Sequence, residues 1–249
     1  MAIADVPRAL GVAALLAALG AIAGARALAR SRTIQLFAAP IARIATRDSV
    51  VALTFDEGPA PARLDTLLAV LRSRDVHATF FLIGASIASA PMAARALVEN
   101  GHEIGNHSYT HRHMVLHSAA TYRREIAQTD SLLHAAGARD PIYFRPPYGY
   151  KLVGLPYVLS RMHRPTVTWD IEPESYPRDT NTPQRLVRHV LARVKPGSII
   201  LLHPWYASGA NTRAAIPTLI DSLRARGYRI TTVGELIART QDRTTSRSP

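Results

Sequence analysis

VVALTFDEGP, residues 50–59, decides the fold. Six apolar or β-favouring residues, Val50 through Phe55, run straight into the carboxylates Asp56 and Glu57 and then into the breakers Gly58 and Pro59. A continuous run of this kind suits a parallel strand covered on both faces, whereas a strand with one wet face would alternate. In α/β folds the loops after the strand C-termini carry the chemistry, so Asp56 and Glu57 are site candidates by position. The competing role for the pair is structural, since carboxylates also suit the N-terminus of a following helix.

Outward from this stretch, helix-period and strand-period segments alternate. Helices are predicted over 62–74, 92–98, 119–136, 155–161, 186–194, 216–225 and 235–239, and further strands over 78–83, 102–107, 142–144, 166–171, 198–202 and 228–233. The polar residues 239–249 read as a disordered tail. Seven strands alternating with helices predict an α/β domain over 49–238, a parallel sheet with right-handed crossovers closed into a barrel. Asp56, Glu57, His107, Arg145, Trp169 and His203 all fall at or just past strand C-termini. In a barrel those ends share one rim, so segments remote in sequence meet in one pocket.

With 249 residues and 47% hydrophobic content the chain can fill one large core, and without cysteine any metal must be held by His and carboxylate. The formal charge of +12 favours anionic surroundings, but the basic residues are scattered and, apart from Lys151 and Lys195, all Arg. No basic stripe interleaved with aromatics is present, and no nucleic-acid partner is expected. Residues 9–25 are unbroken apolar, with Arg8 before them and Arg26, Arg30 and Arg32 after. Residues 1–32 therefore read as a signal peptide or membrane anchor and 33–48 as a linker, with membrane association through 9–25 and delivery to the cell envelope.

His107 and His111 stand four apart after a strand, a spacing that on a helical turn sets two imidazoles side by side. With a carboxylate from the end of the first strand they make a two-His, one-acid set that leaves positions open for water and substrate. His113 and His117 repeat the spacing but do not directly follow the strand. Arg145, fixed by Pro146 and Pro147, is placed to clamp Asp56 bidentately and keep it ionised. His203 ends an apolar run and reads equally as a core residue or a proton donor.

TFDEGP (54–59), HSYTH (107–111), RPPYG (145–149), the segment at Trp169 and LLH (201–203) occur in the order, and with roughly the spacing, of one family. Over residues 49–237 the chain resembles the polysaccharide deacetylases, the NodB-like carbohydrate esterases of family 4. The resemblance implies a distorted (β/α)7 barrel, in agreement with the strand count. It also implies hydrolysis of N-acetyl groups, less commonly O-acetyl groups, on polymers such as peptidoglycan, chitin oligosaccharide or poly-N-acetylglucosamine. By motif position, Asp56 becomes the general base, His203 the general acid, Arg145 the residue that orients Asp56, and the Tyr148 backbone N–H an oxyanion donor. Glu57, His107 and His111 become ligands of a divalent metal, Zn2+ first and Co2+, Ni2+ or Mn2+ as alternatives. Pro147, Trp169 and Leu201 become substrate contacts.

The chain departs from the family pattern twice. Glu57 stands where the family has a metal-binding Asp, and its extra methylene shifts the carboxylate in a site that tolerates about 0.2 Å. Where the family has an Asp-Trp pair whose Asp orients the acidic His, this chain has Ser175 and Tyr176, leaving Glu172 or Glu174 as substitutes. Two rival functions follow: a sugar-binding relative that has lost metal and catalysis, and a non-haem iron oxygenase, which shares the two-His, one-acid set but not the Arg145 and His203 motifs.

Overall fold

The computed structural model describes residues 6–245. It begins with α1 (Val6–Arg30), followed by β1 (Val50–Asp56), α2 (Pro61–Arg72), β2 (Thr79–Leu82), α3 (Gly84–Ser89), α4 (Pro91–Glu99) and β3 (Glu103–Asn106). Then come α5 (Ala119–Ala135), α6 (Gly154–Arg161), α7 (Pro183–Leu191), β4 (Ile199–Leu202), α8 (Ala210–Ala225), β5 (Arg229–Thr231) and α9 (Val233–Thr245).

Every residue of β1 is buried, as its unbroken apolar run requires. One edge pairs in parallel with β4 along Ala52–Phe55; the other pairs first with β5, at Val50–Ala52, and then with β2, at Thr54–Asp56. β2 continues to β3. From β3 the ring closes through single parallel bridges, Asn106 to Phe144, Phe144 to Thr166, and Ile171 to Ile200 of β4. The barrel is therefore a distorted (β/α)7 ring in which the segments predicted as strands over 142–144 and 166–171 pair at isolated bridges only. Prolines explain this: Pro141, Pro146 and Pro165 flank those segments, and a proline has no N–H to give a ladder.

Helices shield the sheet with the faces that the periodicity marks. Leu64, Leu67, Leu68 and Leu71 of α2 are buried, and with Ile216, Leu219, Ile220 and Leu223 of α8 they join the apolar side chains of β1, β2 and β4 in the main core. α5 starts where Ser118 Oγ accepts the Thr121 N–H at 3.1 Å. α3 is not apparent in the sequence, being short and uncapped, and α8 begins six residues earlier than its apolar period indicates (Ala210 against Ile216). α9 runs to Thr245, so the tail expected over 239–249 is helical as far as it is described, and residues 246–249 lie outside the described ones. The stretch expected as a linker is bonded to the barrel, with Ile41 N–H on Thr166 C=O at 2.8 Å and Ile44 N–H on Gly197 C=O at 2.9 Å.

α1 carries exposed Val12, Leu15, Leu16, Leu19 and Ile22, and an 18-residue window within Gly11–Arg30 has a mean hydropathy of 1.9, so the helix is long and apolar enough to cross a membrane. Its last residues return to the barrel rim.

Between β1 and α2, Gly58 holds φ +66°, and a Cβ added there would lie 2.6 Å from the ring of buried Trp205. Gly58→Ala is expected to destabilise by about 1–3 kcal/mol through overpacking and left-handed strain. A thermal midpoint unchanged from wild type would contradict this account of the turn.

Candidate active site

The strand ends converge as the sequence indicates. Asp56 closes β1 inside the barrel, with its side chain 2% exposed, and Arg145 reaches it from the Phe144 bridge with none of its surface exposed. Arg145 Nη1 donates to Asp56 Oδ1 at 2.5 Å and to Thr54 Oγ1 at 2.8 Å, while Nη2 donates to the Thr168 carbonyl at 3.0 Å. The clamp is thus through one nitrogen, not the bidentate fork expected, because the second nitrogen is taken by the neighbouring backbone. The guanidinium lies over the Phe81 ring at 4.0 Å. Burial pushes the Asp56 carboxyl above its ordinary value, and Arg145 opposes that push.

His107 and His111 come together with ring centroids 4.9 Å apart, but not on a helical turn. The loop bends through left-handed residues at Ser108 (φ 62°) and His111 (φ 55°). Glu125, buried on α5, fastens that bend by accepting from the Tyr109 and Thr110 N–H groups at 3.0 and 2.8 Å. A lone Glu within a helix gave no sign of this role in the sequence. His107 Nδ1 is 2.8 Å from the Arg145 carbonyl, which fixes the proton on Nδ1 and turns the Nε2 lone pair to face Asp56 Oδ2 at 3.7 Å. His111 Nε2 faces Glu57 Oε1 at 3.6 Å. Burial lowers both imidazoles to about 3, so both are neutral at physiological pH.

Glu57 sits at φ 75°, and its Oε2 is buried without a hydrogen-bond partner among the described residues. Burial raises its carboxyl, against the pull of the adjacent Tyr206 phenol, a neighbour the sequence did not flag. Among the described residues no three His or carboxylate groups are already drawn to a common point. The donor chemistry nevertheless fits a divalent cation: two neutral imidazole lone pairs and an orphaned buried carboxylate oxygen face one cavity.

Glu174, not Glu172, serves His203. Its Oε2 is 2.7 Å from His203 Nδ1, and its Oε1 accepts the His203 N–H at 3.0 Å and the Thr212 hydroxyl at 2.6 Å. Burial alone would push the imidazole down, but the Glu174 bond and charge outweigh it and raise His203 to about 9. Glu172 is engaged elsewhere, by Trp169 Nε1 at 3.1 Å, the Ser175 hydroxyl at 2.5 Å and Arg32 at 2.7 Å.

These groups border a cavity of about 320 Å³. Asp56, Glu57, His107, His111, Tyr148, Trp169 and His203 line it, and so do Arg30, Arg32 and Tyr150, which were not expected. Tyr148 is held at φ 57° in the turn Pro147–Gly149, its ring 4.6 Å from that of His111. Two residues expected as substrate contacts fall behind the wall: Leu201 is buried in the apolar cluster with Trp169, and Pro147 is buried under the Tyr148 turn. Trp169 borders the cavity only 4% exposed, with the Arg32 guanidinium 4.9 Å over its ring.

A polysaccharide deacetylase family model matches residues 43–165. A peptidoglycan-N-acetylglucosamine deacetylase of Bacillus cereus is 31% identical over 196 residues, covering 78% of this chain and 91% of that one. A chitooligosaccharide deacetylase of Azorhizobium caulinodans is 31% identical, covering 75% and 94% respectively. Two longer relatives are matched over 38% and 30% of their length. Among solved structures, a mutant with restored enzymatic activity of a CE4 family pseudoenzyme from Bacillus anthracis superposes with a TM-score of 0.71 at 31% identity, covering 79% of this chain and 70% of that one.

Proposed function

The chain belongs to the polysaccharide deacetylase family, and from that premise we propose that it hydrolyses N-acetyl groups, with O-acetyl groups as the alternative, on an envelope or extracellular polysaccharide. The relatives' substrates, peptidoglycan and chitooligosaccharide, are the polymers to try first. The observation that carries this reading is the convergence on one cavity of two oriented proton carriers, Asp56 on Arg145 and His203 on Glu174.

In this reading Asp56, kept ionised by Arg145, takes a proton from the water that attacks the acetyl carbon. The Tyr148 N–H, aimed by its constrained turn, helps hold the oxygen that becomes negative. His203, protonated through Glu174, donates to the leaving nitrogen as the C–N bond breaks, releasing acetate and a free amine. Glu57, His107 and His111 would hold a divalent metal, which when bound lowers the pKa of water and stabilises negative charge on the carbonyl oxygen. α1 would deliver the domain to the envelope as a signal or an anchor.

A second reading is kept because Glu57 stands at the family's Asp position and because a pseudoenzyme has the same fold. In it the chain binds glycan without turning it over. The experiment is metal analysis of the purified full chain with acetate release from N-acetylglucosamine polymers, for wild type, His107→Ala and Glu57→Asp. Bound metal and release in wild type, both lost in His107→Ala, are expected. Absence of both in wild type, with either gained in Glu57→Asp and glycan still retained by wild type, would establish the binding protein instead.

A further inference from the structure

The exit of α1 is built into the wall of the catalytic cavity. Ala29 is buried and its carbonyl accepts the Lys151 N–H at 2.9 Å. The Lys151 ammonium, on a residue only 1% exposed, donates to the Ser31 carbonyl. The Arg32 carbonyl accepts the Thr168 hydroxyl at 2.6 Å, and its guanidinium bonds Glu172 at 2.7 Å. These bonds fix the segment on both sides of Arg30, which therefore stands at the lip of the cavity, its guanidinium 5.7 Å over the Tyr150 ring. Tyr150 is itself stacked on His113 with centroids 4.7 Å apart.

The other cations bordering the cavity are each matched by a carboxylate. Arg145 is paired with Asp56, Arg32 with Glu172 and His203 with Glu174, while Glu57 faces the neutral His111 imidazole. Arg30 has no carboxylate partner among the described residues. Its place in the last turn of α1 lets it oppose the helix dipole, but that involves only a partial charge and leaves most of its donors free. We propose that Arg30 is a substrate subsite that takes a carboxylate carried by the glycan, so that the chain prefers an acidic polymer to a neutral one. The proposal rests on the deacetylase reading for its substrate class. Arg30 stands at the lip beside Tyr150, which puts the acidic group on a sugar next to the reacting one.

The test is equilibrium binding to the detergent-solubilised full chain of three tetrasaccharides that share N-acetylglucosamine. One is neutral throughout, one carries a lactyl ether carboxylate on alternate sugars, and one has a uronic acid at those positions. Wild type is expected to bind at least one acidic tetramer about fivefold more tightly than the neutral one, as suits an exposed ion pair. The preference for the acidic tetramer over the neutral one disappears in Arg30→Gln, and in wild type it fades with added salt. Which acidic tetramer wins identifies the source of the carboxylate. Equal binding of all three by wild type, or an acid preference that survives in Arg30→Gln, overturns the inference. Acetate release is followed in the same samples: an acid preference without release removes the deacetylase reading and leaves the subsite standing.

Discussion

Arg145→Met is expected to lower the thermal midpoint by on the order of 10 °C and to abolish acetate release. The stability loss arises because Asp56 would keep its place inside the barrel without its cation. Removing one partner of a buried pair costs about 3–5 kcal/mol, and each kcal/mol moves a domain of this size by about 2–4 °C. Three further attachments go with the side chain: Thr54 Oγ1, the Thr168 carbonyl and the Phe81 face. The double variant Arg145→Met with Asp56→Asn separates stability from chemistry. It leaves no isolated buried charge, so it should recover a large part of the midpoint while remaining inactive, since an amide cannot take a proton from water. A single variant as stable as wild type, or a double variant no better than the single, would show that the pair does not bear on the fold in this way.

The same pair shows what the sequence makes legible. Asp56 and Arg145 were matched because each ends an apolar strand, and strand period together with barrel closure puts such ends on one rim. The number of nitrogens in the clamp was not legible, because it depends on the Thr168 carbonyl turning towards Nη2. Pro141, Pro146 and Pro165 reduce two expected strands to isolated bridges, an effect that a period count does not register. The His107 and His111 rings come together through left-handed residues, not through the helical turn that their spacing suggests. Arg30 and Arg32 were hidden for a different reason. Basic residues after an apolar helix carry a topological meaning by themselves, and nothing in their spacing announces a return to the barrel. Leu201 and Pro147 were assigned to substrate by motif position, yet motif membership does not say which side of a wall a side chain occupies.

Glu172 and Glu174 were indistinguishable by sequence because the short turn Pro173–Ser175 decides which of them points at His203. Glu174→Gln makes the outcome measurable. The wild-type imidazole holds its proton to about 9, so an acid-dependent rate should persist across neutral pH and fall only as pH rises through that value. In Glu174→Gln the carboxylate's charge is lost while the side-chain shape is kept, and the descending limb of kcat/KM should move back towards 6.5, the ordinary value for histidine. The variant should therefore be nearly normal below pH 6 and lose about tenfold per unit above the new pKa, a split that a mere packing defect would not produce. Stability has its own sign. A folded-state pKa raised above the unfolded one stabilises fully below pH 6.5 and is lost as pH rises through about 9. Glu174, whose carboxyl His203 holds below 4.5 against the upward push of burial, stabilises above 4.5 and loses that contribution in acid. The two windows overlap between about 4.5 and 6.5, where the wild-type advantage over Glu174→Gln should be largest in thermal melts. An advantage that grows towards pH 9, or a rate profile whose alkaline limb stays in place, would mean that another group protonates the leaving nitrogen.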